Sequence, residues 1–284
     1  MTGTTAYKNN KNAGSRAIRV VVWTAGMTVG LLFLLITGYI LIKGIPEIKG
    51  SLFEWHYNSE NVSMLPAILN TLEISLLTLG IAVPVGTAAA VYLCEYSKRG
   101  SRLVKLIRVT VETLQGIPSI VYGLFGYLLF VISLGWGYSM IAGILTLVIM
   151  VLPVIIRTAE EALLAVPDSY REGSFGLGAG KVRTIFRIIL PSAVPGILAG
   201  VILAAGRIAG ETAALVFTAG TAGNFTGNMT DSARTLSVHM YCLWNEGLYT
   251  SEAYATSVIL LVMVVSMNAV SNFIAKKLVN KNGK

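Results

Sequence analysis

The chain has 284 residues, 54% of them hydrophobic and only 13% charged, with a formal net charge of +8. At a mean hydropathy of +0.70 there is too little polar side chain to coat a soluble globule, and the composition is that of a membrane protein. The positive balance follows from membrane topology and anionic lipid, so nucleic-acid binding, for which a basic soluble domain would be needed, is not required to explain it.

Residues 1–17 form a basic arm carrying Lys8, Lys11 and Arg16. Six stretches then reach the roughly 20 apolar residues a helix needs to cross a bilayer: Ile18–Ile42, Pro66–Cys94, Val109–Leu134, Tyr138–Ile156, Ala193–Gly220 and Tyr254–Ala275. The first is too long for the apolar core of a signal peptide and lacks a small-residue cleavage site before Lys43, so it is expected to stay as an anchor. Residues 18–275 thus read as one all-helical domain of six transmembrane helices, followed by a basic tail, 276–284.

Lys98, Arg99, Arg102, Lys105 and Arg108 lie between spans two and three, Arg157, Arg171, Lys181, Arg183 and Arg187 between spans four and five, and Lys276, Lys277, Lys281 and Lys284 after span six. The opposite loops hold Lys43, Lys49 and Arg234. The asymmetry places both termini in the cytoplasm of a multi-pass plasma-membrane protein. Cys94 and Cys242 then fall on opposite sides of the membrane and cannot pair within one chain. His56 and His239, in outer loops without metal-ligand spacing, read as lone exposed histidines, and no metal or other cofactor site is expected.

The loop of about 157–187 carries the most informative pattern. Ser169-x-x-Glu172, after Pro167, has the spacing of a capping box and should open a short helix running through Tyr170, Phe175 and Leu177 to about Gly178. A second, basic helix from Lys181 leads to Leu190-Pro191 and back into the bilayer. Gly176 to Val182 resembles a phosphate-binding loop only superficially: the first glycine is misplaced, Val182 replaces the magnesium-binding hydroxyl, and no apolar strand precedes it. Glu172-Gly173-Ser174, then Gly178 after three residues and Ile188-Ile189-Leu190-Pro191 after nine more, resembles the E-A-A-x3-G-x9-I-x-L-P signature of membrane subunits of ABC-type importers. Gly173 and Ser174 depart from the two alanines but remain small. The resemblance implies that Ser169, Tyr170, Glu172, Gly173, Ser174, Gly178 and Pro191 grip a separate ATPase; a helix lying on lipid headgroups is the alternative.

Four charges inside the spans call for partners. Glu73 and Glu112 sit near enough to span ends to reach water, and their role stays open between structure and function. Arg207 and Glu211 fall near the middle of span five, four residues apart. An internal ion pair would neutralise both; alternatively the face lines a polar pathway in which Arg207 offers planar donors to an oxyanion.

Gly206 to Ala214 with Phe217-Thr218-Ala219-Gly220 is similar to the G-R-x-x-G-E-T-A segment of phosphate-import permeases, Gln115 to Gly123 resembles their I-P-S-[IV]-[VIF]-[YF]-G run, and Asn70-Thr71 resembles their N-T start of span two. Of the two permease subunits of that importer, this chain looks more like PstA than PstC. The resemblance, from about Asn70 to the C-terminus, implies a type I ABC importer permease fold and places Arg207, Glu211 and Thr212 on the substrate path. It further implies a second, PstC-like permease subunit, two cytoplasmic ATPase subunits and an external phosphate-binding protein. On this reading the chain moves inorganic phosphate inward by alternating access and carries neither catalytic residues nor an ATP site of its own. An importer for sulfate or molybdate, and an ATPase-independent channel or secondary transporter, are the other readings; an integral membrane enzyme lacks a nucleophile and base or metal-ligand cluster in the spans.

Overall fold

The computed structural model describes residues 13–98, 100–225 and 227–282. Lys8, Lys11, Arg99 and Lys284, used in the charge argument, lie outside them. The described chain is helical, without strands among those residues.

Long apolar runs dictate the elements, because backbone polar groups in lipid must be satisfied within the segment. α1 spans Ala13–Gly44 and α2 Leu65–Val91, extended by a π-helical turn, Tyr92–Tyr96. α3 is Arg102–Gln115; α4 is Ser119–Gly126, extended as π-helix over Tyr127–Ser133. α5 spans Met140–Leu164 and α6 Asp168–Gly176. α7, Lys181–Thr184, runs through a π segment, Ile185–Ile189, into α8, Leu190–Ala209. α9 is Ala213–Thr218, α10 Leu236–Glu246 and α11 Thr250–Asn282.

α5 is the hub: two thirds of its most apolar window is buried, against none of the window in α1. It packs on α2 and α8, and α1 leans on α11. The central core joins Ile74 of α2, Leu147 and Val151 of α5, Ile208 of α8 and Leu215 of α9. A second cluster, Leu52, Met64, Leu236 and Leu243, closes the end formed by the long loops. A third, Ala90, Leu163, Ile189 and Ala193, closes the opposite, basic end.

Two expected spans are not continuous helices. Within Val109–Leu134 the chain bends by 103° between Arg102–Gln115 and Ser119–Ser133. Pro118 cannot donate to the helix and biases Ile117 away from helical backbone. The freed Leu114 carbonyl finds a partner, the Tyr122 hydroxyl donating to it at 2.8 Å, and the Gln115 side-chain Nε2 ties the break to α5 by donating to the Pro153 carbonyl at 3.0 Å. α3 is therefore a separate helix, with Leu103, Leu106 and Val109 on its exposed surface. Within Ala193–Gly220 the helix ends at Ala209 and resumes at Ala213. Five unbroken helices among the described residues are long and apolar enough to cross a membrane, and the bent pair supplies a sixth.

Candidate coupling loop and substrate pathway

Pro167 supplies extended backbone (φ −57°, ψ 140°) immediately before α6. The helix consequently starts at Asp168, Ser169 lies within its first turn, and no side-chain cap forms. The expected Ser169–Glu172 capping box is thus absent; proline geometry and the acidic first turn replace it. At the other end the Leu177 and Gly178 amides donate to the Gly173 and Phe175 carbonyls, and the Ala179 amide to Ser174. Gly178 takes φ +78°, the left-handed conformation the spacing anticipates.

The motif residues divide by face. Ser174 is buried, its hydroxyl 2.8 Å from that of Thr184 at the start of the returning helix, which explains why a small residue is needed there. Glu172 and Gly173 are exposed. So are Tyr170 (51%), Phe175 (48%) and Leu177 (90%), large apolar groups that the described residues leave uncovered. Pro191 is half-buried and lies inside the continuous helix Lys181–Ala209, just after its π segment.

Arg171 does not stand out in the sequence, where it looks like any other basic loop residue. Its guanidinium donates to Glu95 Oε1 from Nε at 3.1 Å and from Nη2 at 2.9 Å, and to the carbonyls of Val166 and Leu163 at 2.8 and 3.0 Å. Nearby, Arg108 pairs with Glu160, and Arg157 with Glu112 and Glu161. Glu112 therefore has an ion-pair partner, while Glu73 is half-buried and makes no ion pair among the described residues.

At the break after α8, Arg207 and Glu211 do not share a helix face. No ion pair joins them among the described residues: the Glu211 carboxylate accepts from the Ala214 amide at 3.1 Å and starts α9, and the Ser237 hydroxyl donates to the Glu211 carbonyl at 2.6 Å. Glu211 is buried, Arg207 and Thr212 half-buried. Arg207 is close enough to Tyr122 of α4 to interact with it electrostatically. Thr212 opens instead onto an apolar cavity of about 500 Å³ lined by Ile40, Tyr241, Trp244 and Tyr254. α4 and α9, the short helices beyond the two breaks, pack side by side.

The loop end holds a polar cluster. His56 is exposed as expected, but His239 is fully buried, in correction of its reading as an exposed residue. Arg234, 7% exposed, donates to the Thr221 carbonyl at 2.7 Å, lies 4.9 Å from the Tyr57 ring centre and reaches His239 Nδ1 at 3.3 Å. It has no carboxylate partner among the described residues. Because a guanidinium only donates, Nδ1 accepts and the neutral ring carries its proton on Nε2. Burial, reinforced by the Arg234 charge, pushes the His239 pKa down to about 3. Among the described residues no group of three or more His, Cys, Asp and Glu side chains is arranged to hold a metal.

Five apolar helices long enough to cross a membrane and a sixth, bent pair make the described chain a polytopic helical protein with an apolar-tipped loop helix at its basic end. Residues 82–283 match the family described as Binding-protein-dependent transport system inner membrane component. The chain belongs to this family: it is a multi-pass inner-membrane permease component of an ABC importer. It is 33% identical over 280 residues to the Probable ABC transporter permease protein YqgI of Bacillus subtilis, covering 90% of this chain and 92% of that one. It is 44% identical over 140 residues to Phosphate transport system permease protein PstA 1 of Mycobacterium tuberculosis, 49% of this chain but 45% of that one. With PstA of Mycobacterium leprae the identity is 35% over 210 residues, 72% of this chain and 64% of that one. The chain thus spans about half to two thirds of the length of these PstA relatives. Its fold resembles that of a bacterial alginate ABC transporter solved with its periplasmic protein, at TM-score 0.66 and 17% identity over 94% of this chain and 98% of that one. The MetNI methionine transporter in an inward-facing form gives TM-score 0.62 at 19% identity, covering 76% of this chain and 95% of that one.

Proposed function

We propose that this permease moves inorganic phosphate into the cytoplasm by alternating access. It works beside a second, PstC-like permease subunit, with two cytoplasmic ATPase subunits and an extracytoplasmic phosphate-binding protein. Both termini are cytoplasmic, so the basic end of the bundle faces the ATPases and the long-loop end faces the binding protein.

The observation that carries the coupling half of this reading is the exposed face of α6. Tyr170, Phe175 and Leu177 project from a helix closed by Gly178 at φ +78°, beside Glu172 and Gly173. Ser169 belongs to the same helix, Ser174 anchors it, and Pro191 lies within the returning helix that carries the stroke inward. Phosphate as cargo is supported by the similarity to proteins named PstA and by Arg207, Glu211 and Thr212 at the interruption of span five. Broken helices suit a transport path because the freed backbone groups can face substrate. An arginine that makes no ion pair with a described residue can lend its planar donors to a passing oxyanion.

Reconstitution of the chain with its neighbouring permease, ATPase and binding protein tests the reading. Labelled phosphate should accumulate in an ATP-dependent way and withstand excess sulfate and molybdate. Competition by either oxyanion would favour the broader oxyanion importer, and uptake without ATPase would overturn the importer reading.

A further inference from the structure

We propose that Arg171 and Lys181 form a two-point clamp through which the ATPase stroke on α6 is passed to the π-helical end of span two; this rests on the importer reading above. The two residues flank the second half of α6 and its glycine-rich exit, and both reach the same five-residue segment, Tyr92–Tyr96. Arg171 holds Glu95 through two donors, with the side chains only 16% and 11% exposed, and Lys181 Nζ sits 4.9 Å from the centre of the Tyr96 ring.

The clamp is directional. Arg171 simultaneously donates to the Leu163 carbonyl in the last turn of α5 and to the Val166 carbonyl just beyond it, and pairs with Asp168 at 3.1 Å in its own helix. One guanidinium thus joins α6, the hub α5 and span two with a planar, multidentate fork that an ammonium cannot reproduce. A push on α6 cannot move it away from span two without breaking both charge-assisted bonds to Glu95 at once. The receiving segment is suited to such a push, because a π turn carries an extra residue in the helical repeat and can exchange it with neighbouring turns while the helix stays formed. Cys94, Glu95, Lys98, Asp168 and Arg171 also line a cavity of about 470 Å³, which leaves room beside the clamp for the segment to shift.

Arg171 and Glu95 are therefore positioning residues, and the test must separate coupling from assembly. Arg171→Gln, Arg171→Lys, Glu95→Gln and the double Arg171→Gln/Glu95→Gln variant would be purified as the full transporter and reconstituted. The quantities read are ATPase retained per permease, ATP hydrolysed in response to the loaded binding protein, and phosphate moved per ATP. Arg171→Gln and Glu95→Gln should each retain the ATPase and its basal hydrolysis, while phosphate moved per ATP falls by a factor on the order of ten. Arg171→Lys should recover only part of that loss, and the double variant should be no worse than Arg171→Gln alone, because the pair acts as a unit. Transport per ATP unchanged in the assembled single variants would overturn the clamp, and so would losses that simply multiply in the double variant. If the unaltered transporter neither retains an ATPase nor consumes ATP for uptake, the importer reading itself fails and takes the clamp with it.

Discussion

Gly123 of α4 and Ala214 of α9 meet backbone to backbone: a methyl group on Gly123 would lie 2.8 Å from the Ala214 Cα. The contact seals the two short helices that follow the two breaks, and it fixes the level at which Glu211 starts α9. Gly123→Val should push the helices apart, with an overpacking cost of about 1–3 kcal/mol. Thermal unfolding in detergent should show a lower midpoint for Gly123→Val, whereas Gly80→Ala, inside α2 with open space around it, should melt no lower than wild type.

Gly178→Val places a β-branched residue at φ +78°, a conformation that costs an L side chain about 1–2 kcal/mol. Nothing lies within 4 Å of the added Cβ, so the effect is on loop geometry and not on packing. The permease should insert normally while ATPase co-purification drops. Unchanged co-purification and ATP-driven uptake would remove α6 as the docking element.

Arg207→Lys keeps the charge and loses the fork. Uptake should fall on the order of tenfold if the guanidinium meets an oxyanion, with insertion and ATPase retention unchanged. Glu211→Gln keeps an oxygen able to accept from the Ala214 amide and should fold normally, whereas Glu211→Leu removes that acceptor and should loosen α9. Wild-type uptake by Arg207→Lys would leave this residue outside the path.

His239 gives a pH prediction with a definite sign. Its native pKa of about 3 lies below the unfolded value of about 6.5, so between these the unfolded chain binds more protons. The stabilisation is complete above about 6.5 and is lost progressively as pH falls toward 3, with a limiting slope of about 1.4 kcal/mol per pH unit. Melting temperatures measured from pH 7.5 to 5 should fall for the wild type and fall less for His239→Gln; equal slopes would show that another group governs acid sensitivity.

Labelling checks the orientation. An impermeant thiol reagent added outside intact cells should spare Cys94 and reach Cys242 once its half-buried site is exposed, while a reporter fused at the C-terminus should be cytoplasmic. External modification of Cys94 would invert the topology.

Apolar length and the placement of Lys and Arg make the helical bundle legible in sequence, since both arise from the cost of bringing backbone and charge into lipid. The two breaks are less so. Pro118 and the Gly-rich segment at Gly206 and Gly210 read as places that break regular helix or permit close packing, but so does Pro84, which stays inside α2, so the residues signal candidate breaks without fixing which ones interrupt a span. Gly178 announces its left-handed turn, whereas the start of α6 departs from the capping-box spacing because Pro167 caps by backbone geometry and leaves Ser169 inside the helix. Arg171–Glu95 and Arg234–His239 join residues distant in the chain or differently buried from their neighbours. Such pairings depend on tertiary packing, and no local pattern carries them.

The placement of charge gives the two ends of the bundle different sensitivities. At the basic end Arg157–Glu112 and Arg157–Glu161 are open to solvent, within reach of counterions whose screening length is about 8 Å at physiological salt, whereas Arg171–Glu95 is enclosed. At the loop end Arg234 and His239 are enclosed, where dissolved ions have little access and proton binding is the effective perturbation. Ionic strength should therefore tune the exposed Arg157 pairs at the basic end and acidity the enclosed cluster at the long-loop end, so that the two ends of the bundle can be disturbed independently in one experiment.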